Sequence, residues 1–186
     1  MYWYKSGVVI RSILFGGLMV TLLLPACKPG GNEAGVSLKY FDIKGYFEKD
    51  SLRLTKQNSL VFKTVTHNGV TQRKKVHIAN WGIELSLFKQ SDINKPAWRN
   101  SYEVISNEDS VLYKAKYPDL TMREMRIKIN KQKVRSVIIF NATKNMLYQT
   151  TEKLSYFPDS LYLIEKYQKV RLMGSNKYTI EGQIIR

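Results

Sequence analysis

The feature that most narrows the folds open to this chain is a succession of short runs in which apolar and polar residues alternate, broken at hairpin spacing by turn residues. Leu60–Thr66 and Val70–Ile78 flank His67-Asn68-Gly69. An Asn-Gly pair between two such runs is a strong hairpin signal, because both residues tolerate positive φ. A two-residue turn at Asn68-Gly69 pairs His67 with Val70 and sets His77 opposite Leu60. Val111, Tyr113, Ala115 and Tyr117 alternate with Leu112, Lys114 and Lys116, and Met125, Ile127 and Ile129 alternate with Arg126, Lys128 and Asn130. Both read as half-buried strands. Val137-Ile138-Ile139-Phe140 is continuously apolar, as in a strand covered on both faces. Met146–Tyr156, Leu161–Leu172 and Lys177–Ile185 follow, with Pro158-Asp159 and Gly174-Ser175-Asn176 between them. Roughly eight strands result, and their spacing predicts a meandering antiparallel sheet.

Two stretches carry helical periodicity instead. Val36, Tyr40, Ile43, Phe47 and Leu54 fall on one stripe, so Ser37 to about Asn58 reads as an amphipathic helix, with Gly45 as its weak point. Trp81, Leu85 and Phe88, with Ile83 and Leu87 alongside, suggest a second, short helix that ends before Pro96. The fold class is therefore α+β: a mostly antiparallel curved sheet or partial barrel of about eight strands, with one or two amphipathic helices packed on its concave face. In architecture alone this resembles the half-barrels of lipoprotein-carrier and lipocalin-like envelope proteins, with none of their motifs.

The first 27 residues carry an address. Lys5 and Arg11 stand in an acid-free opening segment, and Ser12–Leu24 is a run of 13 uncharged residues. At ~1.5 Å per residue such a run spans about 20 Å, less than the roughly 30 Å of a bilayer's hydrocarbon core. Leu24-Pro25-Ala26-Cys27 follows and resembles the lipobox of bacterial lipoproteins, Pro25 departing from the usual small residue there. That resemblance implies cleavage between Ala26 and Cys27, and a diacylglycerol thioether and amide-linked palmitate-type chain on Cys27. Cys27 is the only cysteine, and an exported protein has no internal disulfide to make with one thiol. The expected organisation is a cleaved signal peptide over 1–26, a lipidated residue and Gly/Pro-rich tether over 27–35, and a single domain over 36–186. Lys28 stands where some bacteria use aspartate to retain lipoproteins in the inner membrane. Outer-membrane delivery, facing the periplasm, is therefore expected, with the cell surface as the other destination.

The formal net charge is +15, and removing residues 1–26 discards only Lys5 and Arg11, leaving 28 basic against 15 acidic residues. The basic character belongs to the folded part. For a tethered envelope protein it points to an anionic envelope component or an acidic protein partner rather than to nucleic acid.

Chemistry is sparsely signalled. The two histidines fall at opposite ends of their hairpin and cannot share a metal, and no nucleophile elbow, phosphate-binding loop or His-Glu-x-x-His motif occurs. No catalytic residue, metal or cofactor is expected. Glu108-Asp109 reads as a solvated turn rather than a catalytic pair, since neighbours on a strand face opposite ways. Asp50-Ser51-Leu52, Asp109-Ser110-Val111 and Asp159-Ser160-Leu161 resemble O-glycosylation acceptors of exported bacterial proteins, but Asp-Ser pairs also start turns and cap elements, which is the preferred reading. Asn141-Ala142-Thr143 matches an N-glycosylation sequon that has no expected role in a bacterial envelope. Tyr113 through Tyr117 and Tyr162 through Lys169 interleave aromatics with cations and could stack sugars; packing of tyrosines on strands is the simpler expectation. The reading is a binding, scaffold or accessory protein and not an enzyme. Its alternative is a carrier or sensor of an apolar or lipidic ligand held in the concave sheet, and a third, weaker one is a glycan-active enzyme.

Overall fold

The alternating segments pair as their periodicity requires. A computed structural model describes residues 38–185, so the signal segment, Cys27, the tether and Val36 lie outside the described residues. Nine strands form one antiparallel, curved and unclosed sheet. They are β1 (Leu60–His67), β2 (Val70–His77), β3 (Tyr102–Ser106), β4 (Ser110–Ala115), β5 (Met122–Asn130), β6 (Lys133–Lys144), β7 (Tyr148–Phe157), β8 (Leu161–Val170) and β9 (Gly174–Ile185). Their spatial order is β2-β1-β9-β8-β7-β6-β5-β4-β3. A seven-strand meander from β3 to β9 is thus extended by the first hairpin, which lays β1 against β9. In that hairpin His67 pairs with Val70 and Leu60 with His77, as the Asn-Gly turn dictates. Asn68 and Gly69 both take positive φ.

The sequence pattern lacks a signal for β3. Of its five residues only Tyr102 is buried, so no alternation marks it, and it is held as an edge strand by pairing with β4. Val137–Phe140 is also not covered on both faces. Val137 and Ile139 are fully buried, but Phe140 is exposed, so β6 alternates like its neighbours under a single helical layer. On the opposite edge, β2 carries Arg73, Lys74 and Lys75 exposed to solvent, which discourages edge-to-edge pairing.

Helices cover one face. Helix α1 spans Ile43–Gln57, starting six residues later than its apolar stripe suggests, because Asp42 takes the cap position and accepts the Gly45 N–H at 2.8 Å. A Cβ at Gly45 would collide with that carboxylate. Glycine costs a helix roughly 0.5–1 kcal/mol, and a good cap returns about 1 kcal/mol, so the weak point and the cap offset each other. Tyr40 precedes the helix yet is buried with Ile43, Phe47 and Leu54. The second helix divides at Leu85 into α2 (Trp81–Glu84) and α3 (Ser86–Gln90). Trp81, Leu85 and Phe88 are buried, while Ile83 is exposed.

The core lies between these helices and the sheet. Phe47 meets Phe88 and Tyr156 at ring-centroid distances of 4.9 and 5.0 Å, and Trp81 meets Tyr162 edge-on at 6.0 Å. Two buried phenols reach carboxylates of the helical layer: Tyr156 donates to Asp50, and Tyr162 to Glu84 at 2.6 Å. Burial foremost, then the carboxylates, push both phenols well above their ordinary range. Burial also pushes Tyr102, whose hydroxyl has no partner among the described residues, up to about 12.

Candidate functional site

Along β6, β7 and β8 the residues facing the helices change character at the same level. Val137 pairs with Tyr156 and that with Tyr162; Ile139 pairs with Leu154 and that with Ile164. One step further the row is Asn141, Glu152 and Lys166, and the next is Thr143, Thr150 and Gln168. Because side chains on a strand alternate with period 2, these polar residues continue the helix-facing stripe beyond the point where α3 ends at Gln90. The sheet outruns its cover, and a polar cleft opens there.

Two adjoining hollows make up the cleft, of about 280 and 160 Å³, sharing Thr121, Asn141 and Glu152. The first reaches Tyr148, Lys166 and Gln168 on the sheet; the second passes under Ser91, Asp92, Lys95 and Trp98. Lys166 Nζ binds Glu152 Oε1 at 2.9 Å, and Lys95 Nζ lies 4.1 Å from the centroid of the Trp98 ring. Asp92 accepts the Asn94 backbone N–H at 3.0 Å. Two carboxylates and two ammonium groups thus balance in the cleft.

Asn141 is its centre. The residue is 8% exposed, and its Nδ2 donates to Ser91 Oγ at 3.0 Å and to Glu152 Oε2 at 3.4 Å. The Ser91 hydroxyl spends its hydrogen on the Leu87 carbonyl at 3.0 Å, so toward Asn141 it can only accept, as can an ionised carboxylate. The amide must therefore present its NH₂ to both. Its Oδ1 is left buried without a partner among the described residues. A buried polar atom without a hydrogen bond costs roughly 1–3 kcal/mol, which a donor entering the cleft would recover.

The residues singled out in the sequence are scattered. His67 stacks on Tyr178 at 4.2 Å, and His77 Nδ1 contacts the Asn58 carbonyl at 3.0 Å, one at each end of the hairpin. Among the described residues no three His, Cys, Asp or Glu side chains converge as a metal site. Glu108 and Asp109 are exposed in the β3–β4 turn. Ser51 is buried within α1, its hydroxyl on the Trp81 carbonyl at 3.4 Å, which removes it as a glycosylation acceptor. Asp109-Ser110 and Asp159-Ser160 lie at turns. Tyr113 and Tyr162 are buried in the core, whereas Tyr117 and Tyr167 of the same stretches are exposed.

No family model, curated protein or solved structure matches this chain. Asn141 drew notice in the sequence only as a sequon, and burial of its amide leaves it closed to a glycosyltransferase. The signal that marks it as a site is the polar switch at one register level in three successive strands, legible only once the pairing is known.

Proposed function

We propose that the protein is a lipid-anchored component of the bacterial envelope, held at the periplasmic face of the outer membrane, that acts by non-catalytic binding as a scaffold or accessory subunit. The cleft around Asn141 receives a hydrogen-bond-donating group of its ligand. The single observation that carries this reading is the orphaned Asn141 carbonyl, a buried acceptor without a partner among the described residues, on a residue that lines both hollows. Hydroxyl and amide donors on an envelope glycan fit it, and the charge balance around it suits a neutral or zwitterionic ligand better than a polyanion. The Trp98 ring at the far side offers a stacking surface. The broad basic charge elsewhere, of which the exposed β2 cations are one part, suits an acidic partner or anionic surface instead.

A carrier of apolar ligands draws less support, since Phe47, Trp81, Phe88 and Tyr156 fill the apolar part of the helix-covered face and the part left open is polar. Glycan hydrolysis needs two convergent carboxyl groups, whereas Glu152 is held by Lys166 and Asn141, and Asp92 by Asn94. Soluble cell-wall glycan fragments titrated into ¹⁵N-labelled protein should shift the side-chain resonances of Asn141 and Trp98. If those signals stay fixed while fragments are added to saturation, the cleft does not bind glycans.

The anchor is tested apart from the cleft. Wild-type protein should incorporate labelled fatty acid, and Cys27→Ser should remain an unlabelled precursor. Unchanged labelling of the variant would remove the lipoprotein reading.

A further inference from the structure

Two hairpin tips stand side by side at one end of the sheet. The β6–β7 and β8–β9 turns are joined by a hydrogen bond from the Arg171 N–H to the Leu147 carbonyl at 2.9 Å. Together they hold out Met146 (84% exposed), Leu147 (70%), Leu172 (94%) and Met173 (82%). Leu172, Met146 and Met173 are the most exposed large apolar side chains among the described residues. Hairpin turns ordinarily use Gly, Asn, Asp and Ser, and four large apolar side chains grouped at one point on a surface signal something that covers them.

The surrounding charge says what. Lys144, Lys169, Arg171 and Lys177 flank the tips and are exposed, and residues 144–148 and 169–177 contain no Asp or Glu. A second copy of the chain docking tip to tip would set these cations against their own kind. An anionic bilayer surface takes both halves of the pattern: apolar ends enter the interface, while cations stay at the phosphates on long apolar stems.

The turns are also built to leave water. Asn145 Oδ1 accepts the Leu147 and Tyr148 N–H groups at 2.9 and 2.8 Å. The Asn145 N–H reaches the Tyr148 carbonyl at 3.0 Å, and the Met173 N–H the Val170 carbonyl at 3.2 Å. With Arg171, five backbone amides of the tips are satisfied internally. Entry into a low-dielectric interface would not strand them.

We propose that the paired β6–β7 and β8–β9 tips form a membrane-contact surface, inserting Met146, Leu147, Leu172 and Met173 into the interface of an anionic bilayer with Lys144, Lys169, Arg171 and Lys177 on its phosphates. This surface is distinct from the cleft and does not depend on acylation of Cys27. If Cys27 is the anchor, the eleven residues from it to Leu38 can reach up to about 40 Å, enough to let the tips meet the same bilayer.

The test uses the full chain with Cys27→Ser, so that one introduced thiol carries an environment-sensitive fluorophore: Leu172→Cys at the tip, or Glu108→Cys at the opposite end of the sheet. In vesicles of phosphatidylethanolamine and phosphatidylglycerol containing a spin-labelled quencher lipid, the tip label should shift to the blue and be quenched, and the Glu108→Cys label should stay in water. Removing phosphatidylglycerol, or reversing charge with Lys144→Glu and Arg171→Glu, should weaken the quenching severalfold. Because the label reports its own depth, a chain held on the vesicle only by its N-terminal segment would leave the tip unquenched, and that result overturns the proposal. Shielding that appears without lipid and grows with protein concentration would overturn it too, by showing a second copy as the cover.

Discussion

Asp50→Ala should lower the stability of the folded domain by about 3 kcal/mol, although alanine is the better helix former by at most ~0.7 kcal/mol. Asp50 is 8% exposed near the middle of α1 and serves two groups at once. It accepts from the fully buried Tyr156 hydroxyl, binds Arg53 Nε at 2.6 Å, and through Arg53 is coupled to Asp159 in the β7–β8 turn. Truncation leaves a phenol in the core with no acceptor and half the guanidinium without its partner. Breaking such a buried, charge-assisted pair from one side costs about 3–5 kcal/mol, reduced here because Arg53 is about a third exposed and keeps Asp159. For a domain of this size ~3 kcal/mol corresponds to a melting temperature roughly 6–12 °C lower. Tyr156→Phe should cost less, since Asp50 keeps Arg53. The double variant should be little worse than Asp50→Ala alone, because the phenol that Asp50→Ala strands is then gone. Thermal unfolding of the four proteins measures the coupling, and strictly additive losses would show that the two residues do not act together.

Gly182→Val sets propensity against packing. Valine is the better strand residue, by an amount within the ~1 kcal/mol span of β-propensity scales. Yet a Cβ at Gly182 would fall inside the Tyr162 ring, its cross-strand neighbour on β8. That ring cannot swing aside at little cost. It is fully buried, packs edge-on against Trp81, and its hydroxyl holds Glu84, which also binds Lys63 at 2.6 Å. Overpacking of this kind costs about 1–3 kcal/mol, and loss of a buried hydroxyl's acceptor about 1–3 more. With up to ~1 kcal/mol returned by strand propensity, the variant should lose roughly 1–6 kcal/mol in denaturant unfolding. A gain in stability would mean that Tyr162 has room the structure does not show.

The sheet was legible in the sequence because alternation and turn residues act locally. Asn68-Gly69 set a register that the structure reproduces pair for pair, and eight of the nine strands fall on segments marked by alternation, an apolar run or turn spacing. β3 was not legible, since an edge strand with one buried residue has no pattern to display. Nor was the exposure of Phe140 legible, for a continuous apolar run does not say which face a helix will cover. The start of α1 was displaced because Tyr40 belongs to the apolar stripe but packs from the preceding loop, edge-on to Tyr102 and Tyr113. The cleft was invisible for a different reason. Ser91, Asn141, Glu152 and Lys166 come from four separate elements, and only strand register and the end of α3 bring them together.

That cleft also separates a structural role from a binding one. Asn141→Leu keeps the number and branching of the side-chain heavy atoms, and the partners it abandons stay satisfied: Ser91 retains the Leu87 carbonyl and Glu152 retains Lys166. It also removes the orphaned carbonyl, whose burial costs stability in the absence of ligand. The decisive measurement is the melting temperature of this variant beside its affinity for cell-wall glycan fragments. A binding role for Asn141 requires an unchanged or higher melting temperature together with affinity at least about tenfold weaker, the equivalent of ~1.4 kcal/mol. A variant that melts lower while binding as tightly as the wild type would contradict it.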